Sequence, residues 1–286
     1  MKFPEWIGVG RFDRRKYLQV CSILERNDMN TVCIESNCPN RYECFSRGLV
    51  TFLLLGNGCT RNCRYCNIKR KSKGFGEVDE DEPRRVGIVA ETLGMKYVVL
   101  TSVTRDDLED GGAEIITRTV KEIKDRTGAC VEVLIPDFKG NKESLEIVIS
   151  SNPDIISHNL ETVERLFPEV RPGGSYQRSL ELLKSIKEIS PGMVTKSGIM
   201  VGLGESISEI KKVMNDLRRV ECDILTIGQY LPPGDSHLKV AKFYTPEEFG
   251  LLKRTGKEMG FRHVEAGPMV RSSYMADVYG IEMEAD

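Results

Sequence analysis

The sequence predicts an α/β fold, a partial (β/α)6 barrel of the TIM type over residues 49–260, with an N-terminal extension over 1–48 and a C-terminal extension over 261–286. Three observations predict it. At 286 residues the chain can bury one large core. Six short apolar runs alternate with longer stretches of helical period, the pattern of βα units around a parallel sheet. The runs are nearly continuous in Val, Ile and Leu, as strands buried on both faces must be.

Taken in order, the strands are LVTFLLLG from Leu49, YVVLTS from Tyr97, CVEVLIP from Cys130, DIISHNL from Asp154, MVTKSGIMVG from Met193 and DILTIGQYL from Asp223. Tyr176, Leu180, Leu183 and Ile186 make one helical apolar stripe; Ile207, Ile210, Val213, Met214 and Leu217 make another. The turn TPEE offers Thr245 as N-cap, Pro246 at the first helical position and Glu248 to close a capping box, so a helix should start there and run to about Gly260. In such a barrel the loops after the strands form the active face. Polar residues gather there: TSVTRDD, HNLET, GLGES and GQY each follow or end a strand.

Charged residues are abundant but balanced to a net charge of -2, so nothing global points to nucleic acid or an anionic membrane. The N-terminus carries no apolar signal region, and the longest apolar run, LVTFLLL, is too short to span a bilayer. These features predict a cytoplasmic protein. A disulfide framework is not expected in that reducing compartment, and nine cysteines is an odd count for one.

Six of those cysteines fall between Thr31 and Cys66 as two triplets, C-x4-C-x5-C at Cys33, Cys38 and Cys44 and C-x3-C-x2-C at Cys59, Cys63 and Cys66. A tight set of three can hold a metal or cluster while leaving one position open. Structural zinc is the plain alternative, but it wants four closed ligands, and His158, His237 and His263 all lie far from both triplets in sequence. Cys21, Cys130 and Cys222 are dispersed and read as structural thiols.

C-x3-C-x2-C directly after an early strand resembles the signature of radical S-adenosylmethionine (SAM) enzymes. The upstream triplet in CIESNCPNRYEC narrows the resemblance to the lipoyl synthase family, and it continues through TRDDLEDGGA, SHNLETV, RPGGSYQRSL, GLGE, GQYLPP and GPMVRSSYMA, nearly the whole chain. The resemblance implies a barrel of radical SAM type and two 4Fe-4S clusters. Cys59, Cys63 and Cys66 would hold three irons of one cluster, with SAM chelating the fourth. Cys33, Cys38 and Cys44 would hold an auxiliary cluster, closed by Ser273 of the RSSY tail, with Ser272 the adjacent fallback. A serine oxygen is a hard ligand on a sulfide-bridged iron and should leave readily.

The implied reaction is insertion of two sulfurs at C6 and C8 of an octanoyl chain on a carrier lysine, with two SAM used per lipoyl group and the auxiliary cluster as sacrificial sulfur donor. Those carbons are unactivated, so a radical from SAM is the available route. Tyr65 stands where the superfamily places an aromatic near the adenine, although ordinary packing also explains it. Arg271 is a candidate for orienting the chain or the serine loop, against the reading of a surface ion pair. Thr101, Ser102, Asp106, Asn159, Glu161 and Lys196 lie at strand ends as candidate SAM contacts, with Asn159 and Glu161 preferred; turn or cap duty is the alternative for each. Implied partners are an octanoylated lipoyl carrier domain (an E2 subunit or the glycine cleavage H protein), an electron donor such as ferredoxin or flavodoxin, and an iron-sulfur cluster carrier. The competing readings are another sulfur-inserting enzyme resembling biotin synthase, and a non-catalytic metal-binding module.

Overall fold

The computed structural model describes residues 3–8, 10, 12–71, 73–274 and 276. The last ten residues of the expected C-terminal extension, 277–286, therefore lie outside the described residues. The strands are β1 (Thr51–Leu54), β2 (Gly58–Cys59), β3 (Lys69–Arg70), β4 (Tyr97–Ser102), β5 (Cys130–Leu134), β6 (Ile155–Ser157), β7 (Val194–Val201), β8 (Ile224–Gln229) and β9 (His263–Gly267). Seven of them form one sheet in the order β1-β4-β5-β6-β7-β8-β9, while β2 and β3 pair as a separate parallel ribbon. All six expected strands are present. The sheet carries one more, β9, which extends it parallel to β8 with Ile224 opposite His263.

The chain falls into two compact units, each assembled from separated segments. In the unit of residues 9–61, 67–156 and 273–286, β4 runs parallel to both β1 and β5. Phe52, Leu54, Val98, Leu100, Val131 and Val133 are fully buried there, which is why their runs are continuous in apolar residues. Helices Glu82–Thr92 and Ala113–Thr127 pack together in this unit. Towards the N-terminus, Asp13 caps helix Arg14–Arg26, and Thr31 caps the single turn Val32–Glu35 by accepting the Ile34 amide.

The unit of residues 1–8, 62–66 and 157–272 contains β7, β8 and β9, all parallel. Its longer helices are Tyr176–Ile189, Ile207–Arg219 and Pro246–Glu258. Two begin with full capping boxes, Ser206 with Glu209 and Thr245 with Glu248, each cap contributing about 1 kcal/mol. The Thr245 box is the one the TPEE turn predicts.

At the end of β1 the chain turns through two left-handed residues, Leu55 (φ 67°) and Gly56 (φ 81°). The Leu55 amide is held by Glu82 Oε2 at 2.9 Å. Burial pushes the Glu82 carboxyl up to about 7, above the 4.5 it would have when unfolded. The folded state thus holds this proton more tightly, so the stabilisation is complete below pH 4.5 and is lost as pH rises through 7. Glu82→Gln keeps an acceptor for Leu55 and cannot ionise. Urea denaturation should show wild-type stability falling by about 2–3 kcal/mol over this window relative to Glu82→Gln; parallel pH profiles would refute the assignment.

Candidate active site

The first triplet is built on short helices tied to β1. Thr31 pairs with Phe52 in an antiparallel bridge, and the Leu53 amide donates to Asn30 O at 3.0 Å. Cys33 sits buried in the turn capped by Thr31, and the Cys38 amide returns to the Cys33 carbonyl at 3.1 Å. Cys44 lies in helix Arg41–Ser46. The thiols are close enough to act on one another. Burial pushes Cys33 up to about 12, with Cys38 adding to the rise, while the Thr51 amide and hydroxyl beside it oppose the rise. Cys44 is also pushed up to about 12, by burial first and then by Cys33 and Cys38.

The RSSY tail reaches the same place. The Thr51 hydroxyl donates to Ser273 Oγ at 3.0 Å across 222 residues of sequence. Tyr274 donates to Glu43 Oε1 at 3.4 Å, and its own hydroxyl is raised by burial, then by Glu43 and Cys44. The Cys33 and Cys44 thiols resist ionisation unless a cationic centre takes up their charge, so this donor set, with Cys38 beside them, fits a thiolate-bound iron cluster.

Cys59 ends β2, and its carbonyl accepts the Lys71 amide at 2.9 Å. The Arg61 amide points at Cys59 Sγ at 3.4 Å, the contact a cluster thiolate accepts from backbone. Arg61 itself is locked. Its guanidinium binds both carboxylate oxygens of Asp106 and, at 2.9 Å, Asp137 Oδ1. Thr60 adds an amide and a hydroxyl bond to Thr104 O, both 2.9 Å. The motif TRDDLEDGGA therefore clamps the cysteine loop, and Asp106, a candidate SAM contact, is engaged by Arg61. Its glycines have a packing reason: at Gly112 (φ 90°) a Cβ would stand 2.1 Å from Leu55 Cδ1.

In the other unit, the Cys66 amide donates to Cys63 O at 3.1 Å, and the Arg64 amide to Val170 O at 2.9 Å. His237 Nε2 lies 3.3 Å from Cys66 O and its Nδ1 3.2 Å from Gly234 O. A neutral ring can donate to only one of these carbonyls.

Around Tyr65 the structure gathers three sequence candidates. Tyr65 donates to Glu161, and Asn159 Nδ2 donates to Glu161 Oε1 at 3.2 Å. Glu161 takes a left-handed φ of 70°, fixed by backbone bonds to Gly198 and Met200. Its carboxyl is raised, by burial above all, although Arg171 and the two hydrogen bonds pull the other way. Tyr65 is raised by burial, then by Glu161 and Cys63. Arg171 Nη1 anchors the segment on Asn159 O at 2.6 Å. Asn159 Oδ1 is buried with no hydrogen-bond partner. A buried acceptor without a partner beside the Glu161 carboxyl fits an ammonium ligand such as the amino group of SAM.

Other candidates fare differently. The Thr101 hydroxyl donates to Leu134 O at 3.1 Å, whereas its neighbour Ser102 has a buried hydroxyl without a partner. Lys196 is fully buried within β7. Arg271 Nη1 donates to the carbonyl of Val270 at 2.6 Å. Sequence reasoning missed Thr51 and Arg61, of which only Arg61 carries a signal, as an arginine inside the cysteine loop; His237, set aside for its distance in sequence, lies against the Cys66 carbonyl. Among the described residues no group of three or more His, Cys, Asp or Glu surrounds a point where a single metal ion would sit.

The Radical SAM superfamily model matches residues 53–217. The chain is 51% identical to a lipoyl synthase of Caldanaerobacter subterraneus subsp. tengcongensis, over 96% of each chain. It is 49% identical to a lipoyl synthase of Caldicellulosiruptor bescii, over 97% of this chain and 95% of that one. Among solved structures, a methylornithine synthase superposes with a TM-score of 0.56 at 14% identity, covering 75% of this chain and 63% of that one. The FeFe-hydrogenase maturase HydG of Carboxydothermus hydrogenoformans gives 0.54 at 15%, covering 94% and 70%. These two likenesses concern the fold alone. With half its residues shared along nearly its full length, and both cysteine triplets in place, the chain belongs to the lipoyl synthase family of the radical SAM superfamily.

Proposed function

We propose that the chain catalyses the lipoyl synthase reaction, replacing one C–H bond at C6 and one at C8 of a protein-bound octanoyl-lysine with C–S bonds. The observation that carries the reading is Ser273 drawn to Thr51 beside Cys33, because a three-thiolate site with a releasable oxygen ligand needs that tail at the first triplet. Cys33, Cys38, Cys44 and Ser273 would hold the auxiliary 4Fe-4S cluster, which is consumed as the sulfur substrate. Cys59, Cys63 and Cys66 would hold the second cluster, which when bound supplies the electron that cleaves SAM.

The chain's own residues prepare that site. Arg61, fixed by Asp106 and Asp137, aims its amide at Cys59 and sets the loop's course. In its Nε2–H tautomer His237 would tie down the Cys66 carbonyl. Asn159 Oδ1 and the Glu161 carboxyl would receive the ammonium group of SAM, with Tyr65 holding Glu161 in place and Thr101 at the end of β4 as a further contact. Arg271 would steady the turn that presents Ser273. Two C–H bonds are replaced, so two SAM and two electrons would be used per lipoyl group.

The proposed organisation keeps the auxiliary-cluster segment 1–48, the barrel 49–260 and the serine-bearing segment 261–286. The proposed partners are an octanoylated E2 subunit or glycine cleavage H protein, ferredoxin or flavodoxin as reductant, and a cluster carrier, all in the cytoplasm. Among the described residues no helix is long and apolar enough to cross a membrane. The test is anaerobic incubation of reconstituted protein with an octanoyl-lysyl peptide, SAM and a reductant, read by mass spectrometry. Peptide carrying two added sulfurs is expected. SAM cleavage with no sulfur on the peptide would overturn the reading.

A further inference from the structure

We infer that Thr51 is the positioning residue for Ser273: its hydroxyl, fixed on β1, seats the serine oxygen beside the Cys33 thiol. The inference rests on the reading of Cys33, Cys38, Cys44 and Ser273 as ligands of the auxiliary cluster. Ser273 lies in a turn, with Ser272 and Tyr274 on either side. Thr51 lies on a strand whose place is set by parallel pairing to Val99 and, one residue on, by the bridge from Phe52 to Thr31. A β-branched side chain on such a strand has little χ1 freedom, so the direction of the hydroxyl is fixed before the tail arrives.

The residue type supports the inference. Thr51 begins TFLL, the rest of which is apolar and buried, and Thr51 itself is only 6% exposed. Valine would fill the same volume and suit a buried strand better, since a buried hydroxyl is costly unless it is bonded. Here it is bonded, at 3.0 Å to Ser273 Oγ, while the Thr51 amide and hydroxyl also face the Cys33 thiol. The amide contact does not depend on the side chain, so removing the hydroxyl should leave Cys33 in place and free the serine. Tyr274 holds the tail by a longer bond, 3.4 Å to Glu43.

The experiment uses the full chain carrying Cys59→Ala, Cys63→Ala and Cys66→Ala, so that only the auxiliary cluster assembles and no turnover intrudes. Into this background go Thr51→Val, Thr51→Ser, Ser273→Ala and the Thr51→Val/Ser273→Ala pair. Iron content, the rate of iron loss to a chelator and the Mössbauer signal of the oxygen-ligated iron are measured. Thr51→Val should bind as much iron as the parent but lose it about tenfold faster, the effect of one hydrogen bond to a charged oxygen. It should match Ser273→Ala in rate and spectrum; the pair should be no faster than either, and Thr51→Ser should restore the parent. Parent-like behaviour of Thr51→Val beside a fast Ser273→Ala would overturn the role of Thr51 while leaving the serine ligand standing. Parent-like behaviour of Ser273→Ala would overturn both. Iron loss in Thr51→Val well beyond that of Ser273→Ala would also overturn the inference, since Thr51 would then serve cluster assembly and not the serine.

Discussion

Alanine at Cys59, Cys63 or Cys66 should reduce SAM cleavage to the detection limit, whereas alanine at Cys33, Cys38 or Cys44 should spare cleavage and eliminate sulfur insertion. The asymmetry follows from what each triplet is attached to. Cys59 sits in the loop that Arg61, Asp106 and Asp137 clamp, Cys66 is tied by His237, and Tyr65 between Cys63 and Cys66 bonds to Glu161. On the proposed assignment, loss of any one of these thiolates would remove a ligand of the cluster that cleaves SAM. Cys33, Cys38 and Cys44 are tied instead to β1 and the serine tail. Their loss should cost the sulfur source alone, so 5'-deoxyadenosine should still form without product. Equal loss of cleavage from both sets, in chains that keep their fold, would refute the division of labour.

The fold was legible wherever burial on both faces left a continuous apolar run. YVVLTS was read as a strand from Tyr97, and β4 begins at that residue. The seventh strand was not legible because HVEAG is short and only Val264 within it is buried, so it lacks the apolar run that marks a two-sided strand. The turn that carries Cys33 is four residues long, too short for a helical period to register. At the site, cysteine spacing is the signal that suggests ligand chemistry. What escaped were pairings between distant segments: Arg61 with Asp106 across 45 residues, and Thr51 with Ser273 across 222. Thr51 in a strand reads as ordinary β-branched filling, and Asp106 in a polar loop reads as a ligand contact until its arginine is found.

The second large effect concerns the origin of the inserted sulfur, because Cys21, Cys130 and Cys222 offer a rival source as persulfides. A persulfide forms on a reactive thiolate. Cys222 is fully buried, its Sγ lies 3.4 Å from Ile224 O, and burial, then Asp223, pushes it up to about 12. Cys130 is buried as well, in the first position of β5, and part-exposed Cys21 lies in helix Arg14–Arg26 beside Tyr17. No one of them offers two sulfurs for C6 and C8 of one chain. A cluster on Cys33, Cys38 and Cys44 would hold several bridging sulfides at one place, and a carbon radical must meet sulfur at near-contact distance before it meets anything else. Chain reconstituted with isotopically labelled sulfide should therefore give product labelled at both sulfurs and stop after about one turnover without repair, with iron lost from the first triplet. Alanine at Cys21, Cys130 or Cys222 should leave that turnover intact in folded protein. Unlabelled product from fully labelled clusters, or loss of insertion in one of these three variants despite two intact clusters, would transfer the donor role to a cysteine.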